Sequence, residues 1–232
     1  MQRREFAKLA LAGAVGTVAA PVVVKAETTK MKMANRIVLD DCCGVLVDVQ
    51  DYFLGQLDRS RRPKIRTNIT NFARLLGYFR IPIVVTLEGP VRLNGSLTEE
   101  VKEQVSNLTE TFEKQSFDLT KEKQIRDHLA RLKKKQVIVA GCETDVCVLQ
   151  SCLGLLRLGY QVYVVEDLLF SSSRNVDAAL ARMKAEGAIF LTYKSLYHEL
   201  SVYELSDGTE GGREKLRAML GPFPRDLPES AD

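Results

Sequence analysis

Cys147 is the residue of this chain best placed to act as a nucleophile. It follows an apolar run at 137–140, a glycine at Gly141 and the polar turn Glu143-Thr144-Asp145. It precedes an apolar, helical-looking stretch ending near Leu158. A thiol after a buried strand and at the start of a helix sits at the positive end of the helix dipole, which favours a thiolate. The N–H groups of that first turn have no partners inside the helix and are available to an oxyanion. The same residues also fit an inert thiol buried at the start of a core helix. A thiolate at neutral pH needs a base or a cation beside it. Asp48, in the apolar segment 44–49, can take the thiol proton. Lys114, ending the segment 111–114, can lower the thiol pKa and hold the carboxylate ionised. If Asp48 is that base, its replacement by Asn should slow alkylation of Cys147.

The elements that must position these residues alternate between strand and helix. Short apolar strands are expected at 44–49, 82–87, 111–114, 137–140, 161–165 and 188–191. Helices are expected at 63–80, 97–105, 121–133, 146–158 and 175–186. Glycine and proline signals at Gly89-Pro90 and Asn94-Gly95 mark 88–98 as a loop. Such alternation predicts an α/β fold with three layers: a doubly wound, mostly parallel sheet covered by helices on both faces. Sites in such sheets lie at the carboxyl ends of the strands. Asp48, Glu88, Lys114 and Cys147 all fall at or just beyond predicted strand ends. Phe53, Leu87, Glu88 and Phe117 follow the same ends and are candidate substrate-pocket residues.

The N-terminus has a different character. Arg3-Arg4-Glu5-Phe6-Ala7-Lys8 precedes a small-residue apolar run to Val24, and Val24-Lys25-Ala26 fits a cleavage site. The segment 1–26 resembles a bacterial twin-arginine signal, which implies export to the periplasm and no stable membrane anchor after its removal. Organisation follows as signal 1–26, linker 27–40, catalytic domain 41–207 and polar tail 208–232. The 232-residue chain carries a net charge of +3. Removing four basic residues and one acidic residue with the signal leaves 29 of each sign. A net-neutral mature chain gives no electrostatic reason to expect nucleic acid as a partner. Five cysteines, an odd number, show neither disulfide nor zinc spacing.

The stretch Gly141-Cys142-Glu143-Thr144-Asp145-Val146-Cys147-Val148 resembles the Gly-x-x-Thr-Asp-x-Cys-Val signature of isochorismatase-like cysteine hydrolases, a superfamily that includes nicotinamidases and N-carbamoylsarcosine amidases. Leu46-Val47-Asp48-Val49-Gln50 is similar to its first-strand Asp motif, and Lys114 falls where its lysine is expected. The resemblance implies Cys147 as nucleophile, Asp48 as general base and Lys114 as the residue that orients both. It implies a cis peptide between Cys142 and Glu143, and an oxyanion hole from the N–H groups of Glu143 and Cys147. It also implies a homo-oligomer. Metal-binding relatives carry Asp and His beyond the second strand. Here that place reads Thr86-Leu87-Glu88-Gly89-Pro90, and the two histidines, His128 and His198, lack ligand spacing. No metal and no cofactor are therefore expected. The implied activity is hydrolysis of a small carboxamide or ureido substrate through a thioester. A hydrolase of an ester or thioester, and a non-catalytic binding or assembly protein of the same fold, are the alternatives.

Overall fold

The computed structural model describes residues 35–105, 107–205 and residue 218. The expected signal, residues 27–34 of the expected linker and nearly all of the tail lie outside the described residues. Six parallel strands form one sheet. They are β1 (Cys42–Val47), β2 (Ile83–Glu88), β3 (Thr109–Lys114), β4 (Gln136–Gly141), β5 (Gln161–Leu169) and β6 (Ile189–Leu191). Their spatial order is β3-β2-β1-β4-β5-β6. The chain winds outward from β1 in one direction to β3, then returns to β4 and winds the other way. The reversal places a topological switch between β1 and β4, the position where open parallel sheets open a crevice at their carboxyl ends.

Helices cover both faces because the central strands are apolar on both sides. In β1 all six residues are buried. Cys42 and Leu46 pack into one apolar cluster with α2 (Arg61–Tyr78) and α8 (Tyr193–Leu205), through residues such as Phe72, Leu76, Leu196 and Leu200. Cys43, Val45 and Val47 pack into the other, with α5 (Lys123–Leu132), α6 (Leu149–Arg157) and α7 (Asp177–Ala185). This odd–even division follows from the period-two alternation of strand side chains.

Several elements differ from the sequence-based expectations, each for a local reason. The expected helix at 146–158 is instead a π-helical turn, Thr144–Val148, followed by α6. β5 runs on past Val165 through the charged pair Glu166-Asp167, which ends the apolar pattern. A register shift between Val139 and Gly141 lets Gly141 pair with Leu169. The expected loop at 88–98 holds a short helix, α3 (Val91–Asn94), and the expected helix at 97–105 shrinks to α4 (Glu99–Lys102). A one-turn helix, α1 (Asp51–Gly55), follows β1. The segment 193–205 has helical spacing in Tyr193, Leu196, Tyr197 and Leu200, all buried, and Thr192 caps it, its hydroxyl accepting from the Ser195 N–H at 3.2 Å, so both signals for α8 stand in the sequence. Among the described residues, no helix is long and apolar enough to cross a membrane.

Candidate active site at the carboxyl ends of the strands

The strands end in register. Glu88 and Lys114 are paired residues at the ends of β2 and β3, and Val47 pairs with Gly141 across β1 and β4. Asp48, one residue past β1, takes a left-handed conformation with φ 51°. Its backbone is held there: the Asp48 N–H donates to the Thr86 carbonyl at 3.0 Å, and the Asp48 carbonyl accepts from the Gln50 N–H at 2.8 Å. A non-glycine residue at positive φ is an uncommon, sparsely populated state, and such states concentrate at functional sites.

Four side chains meet at this edge. Lys114 Nζ lies 2.8 Å from Asp48 Oδ2, forms an ion pair with Glu88 Oε2, and lies 3.6 Å from Cys147 Sγ. Cys147 Sγ is 3.9 Å from Glu88 Oε2. Asp48 and Lys114 are wholly buried, and Cys147 is nearly so. Thr86 donates its hydroxyl to Asp48 Oδ1 at 2.8 Å. Thr86 is a buried polar residue inside an apolar strand, a signal present in the sequence that points to a partner. Gln50 is a second residue that motif reasoning left without a role. Its amide donates to the carbonyls of Glu88 and Gly95, and its Oε1 accepts from the Glu88 N–H at 2.7 Å. This clamp ties the end of β1 to the end of β2 and fixes where Glu88 begins.

The turn carrying Cys147 is equally constrained. Gly141 has φ 124°, and a Cβ there would lie 2.1 Å from the Val47 carbonyl oxygen. Only glycine allows β4 to turn so close to β1. The Cys142–Glu143 peptide is cis. The Glu143 carbonyl accepts from the N–H groups of Val146 and Val148, and the Thr144 N–H donates to the Phe170 carbonyl. The Glu143 carboxylate accepts from the Ser171 and Ser172 hydroxyls at 2.6 and 2.8 Å. Asp145 accepts from the hydroxyls of Ser171 and Ser173. The serine triplet after β5 thus braces the turn from outside. Its composition suggests only a loop, so nothing in the sequence announces that role.

Electrostatics revise one expectation. Burial, with the neighbouring Asp48 charge and against the opposing pull of Lys114, pushes the Cys147 thiol up to about 12. The resting group at neutral pH is therefore a thiol, not the thiolate that the helix-dipole argument favours. Desolvation outweighs the dipole because the sulfur is enclosed and sits within the π-helical turn, before α6 begins. Burial likewise raises the Asp48 carboxyl, with Lys114 and Thr86 acting against it. Burial alone would lower Lys114, but the Asp48 carboxylate more than offsets this and holds it protonated.

The candidate pocket residues separate. Glu88 belongs to the ionic cluster itself. Leu87 is buried in the apolar layer under α2, and Phe53 packs against that layer. The Phe117 ring is exposed, while its carbonyl accepts from Ser151. His128 packs edge-on against Phe112, away from the cluster. Among the described residues, one group of acid and thiol side chains could converge on a metal: Asp48, Glu88 and Cys147. Lys114 Nζ contacts all three. An ammonium already provides the positive charge to which these groups point, so the donor set does not fit a metal.

Comparison with known proteins agrees with this geometry. The isochorismatase domain family matches residues 42–195. A secreted isochorismatase effector, Isc1, from Phytophthora sojae is 32% identical over 176 residues, covering 73% of this chain and 81% of that protein. The solved structure of YcaC from Pseudomonas aeruginosa with hexane-2,5-diol and covalent acrylamide superposes with a TM-score of 0.72 at 28% identity, covering 81% of this chain and 93% of that one. YcaC from Escherichia coli, described as an octameric hydrolase of unknown specificity, superposes with a TM-score of 0.73 at 25% identity, covering 83% and 94%. With the domain matched over most of the described residues and the fold shared with its solved relatives, this chain belongs to the isochorismatase family of hydrolases.

Proposed function

We propose that this protein is a cysteine hydrolase of a small carboxamide or ureido compound, acting through a thioester. The observation that carries the proposal is the enclosure of Cys147, Asp48 and Lys114 in one cluster at the switch point of the sheet. In the proposed reaction Asp48 takes the Cys147 proton as the sulfur attacks the substrate carbonyl. A base is required because the resting thiol is protonated. Lys114 stays charged throughout and holds Asp48 against the sulfur. The oxyanion is received by the backbone N–H groups of Glu143 and Cys147, each such donor contributing about 3–4 kcal/mol to the transition state. The C–N bond breaks, and the amine leaves with the proton from Asp48. Water, deprotonated by Asp48, then attacks the thioester and regenerates the thiol. That YcaC from Pseudomonas aeruginosa holds acrylamide covalently supports a reactive nucleophile in this family.

No step uses a metal or a cofactor. We further propose export by the segment 1–26 to the periplasm, a catalytic domain at 41–207 and assembly into a homo-oligomer, the last supported by the octamer described for YcaC from Escherichia coli. Ammonia release from a panel of nicotinamide, N-carbamoyl compounds and small aliphatic amides tests the activity. Turnover of esters with no turnover of any amide would favour the other hydrolase reading. N-terminal sequencing of the native protein tests the signal: a chain beginning at Met1 or Gln2 would overturn it.

A further inference from the structure

We propose that Glu88 makes this site select uncharged substrates and exclude those carrying a carboxylate next to the scissile group; this rests on the nucleophilic role of Cys147 given above. The ionic cluster holds two carboxylates, Asp48 and Glu88, against one ammonium, Lys114, and the thiol beside them is neutral. The site therefore gathers two acidic groups around a single basic one. Lys114 is already engaged by the cluster. An ammonium has three donors, and three acceptors already surround Nζ: Asp48 Oδ2, Glu88 Oε2 and Cys147 Sγ.

Glu88 is the charged member that faces outward. Its side chain is 14% exposed, whereas those of Asp48 and Lys114 are 0% exposed. Its carboxylate oxygen stands 3.9 Å from the attacking sulfur. Any group bonded to the reacting carbonyl must pass within a few ångströms of it, in a setting where solvent screens charge weakly. An amide N–H finds an acceptor there, and a carboxylate finds a like charge. The segments after β1, β2 and β3 add Tyr52, Leu93 and Phe117 as exposed apolar side chains. Among them the exposed cation nearest in sequence to Glu88 is Arg92, on α3.

Iodoacetamide and iodoacetate are nearly the same size and differ by one charge. Each alkylates a thiol by forming a carbon–sulfur bond with loss of iodide. The rate ratio of the two at Cys147, read by peptide mass mapping at pH 7 and divided by the ratio for a small free thiol, isolates the effect of the site. The expected result is an extra preference for iodoacetamide of about tenfold or more, from like-charge repulsion at short range. Glu88→Gln should remove most of that preference, and Glu88→Asp, which keeps the charge, should retain it. A wild-type ratio equal to that of the free thiol would overturn the proposal while leaving the nucleophile intact. So would a Glu88→Gln ratio unchanged from wild type. A preference for iodoacetate, abolished by Arg92→Ala, would overturn it by revealing a carboxylate-binding cation. Failure of both reagents to label Cys147 would overturn the nucleophilic role, and this inference with it.

Discussion

Two ends of one sheet hold cysteines with similar acidities and dissimilar company. At the amino end Cys42 and Cys43 are buried, and burial pushes both thiols up to about 12. Cys42 donates to the Leu39 carbonyl, and Cys43 to the Gln136 carbonyl. Lys134, Asp40 and Asp41 lie near Cys42 and act on its thiol, but among the described residues no acidic side chain accepts a hydrogen bond from either sulfur. Gln136 accepts from the Val38 N–H and donates to the Arg36 carbonyl and the Gln161 amide. At the carboxyl end Cys147 is also pushed up to about 12, but it faces Lys114, Asp48 and Glu88. Acidity alone therefore does not distinguish a structural thiol from a candidate nucleophile. What distinguishes them is the direct company of the sulfur: backbone carbonyls for Cys42 and Cys43, charged side chains for Cys147.

The sharpest way to break this contrast is to exchange the roles. Cys147→Ala should lower amide turnover by about 10⁴-fold or more, since the acyl-accepting atom is gone. Cys43→Ala should leave turnover unchanged and cost about 1 kcal/mol of stability, an ordinary core truncation. Equal activity losses in the two variants, with both folded by circular dichroism, would erase the distinction.

Asp48→Asn divides chemistry from acidity. Turnover should fall by about 10²–10⁴-fold, the usual scale for a lost general base. Alkylation by iodoacetamide at pH 7 should also become slower, because the resting thiol is protonated and Asp48 is the group that takes its proton. Faster alkylation in this variant would show that the Asp48 charge, rather than proton removal by Asp48, limits thiolate formation.

In stability the two ends should behave alike. Cys42, Cys43, Cys147 and Cys152 each rise from an ordinary 9.0 to about 12. Below pH 9 both folded and unfolded chains keep these protons, and the stabilisation is fully present. Above it the unfolded thiols ionise while the folded ones do not, so stability falls until the folded thiols titrate near pH 12. Each thiol contributes up to about 1.4 kcal/mol per pH unit in that window. Denaturant titrations from pH 8 to 10.5 should show wild type losing stability faster than Cys43→Ala by up to that slope. Parallel curves would show that Cys43 is not protected from ionisation. The smallest expected effect is none: dialysis against a chelator should leave turnover unchanged, since the ammonium of Lys114 already fills the centre of the only acid–thiol cluster among the described residues. Loss of activity restored by zinc or iron would contradict the metal-free mechanism.

The order of strands and helices and the three-layer architecture were legible because buried parallel strands and amphipathic helices carry their periods locally. The turn at Gly141–Cys147 was legible for a related reason: its glycine and its polar residues mark a strand end whatever lies around it. The strand ends also put Asp48, Glu88 and Lys114 in the right neighbourhood. Tertiary structure decided the rest. It drew Glu88 into the ionic cluster, gave Thr86 and Gln50 their partners, and used Ser171, Ser172 and Ser173 to brace a turn 26–29 residues away. It also decided the protonation state of Cys147, where the local helix-end argument pointed the wrong way. The physical reason is that desolvation and Coulomb terms depend on every atom around a group. For these side chains those atoms come from four strands separated by up to about a hundred residues, and no local pattern encodes their approach.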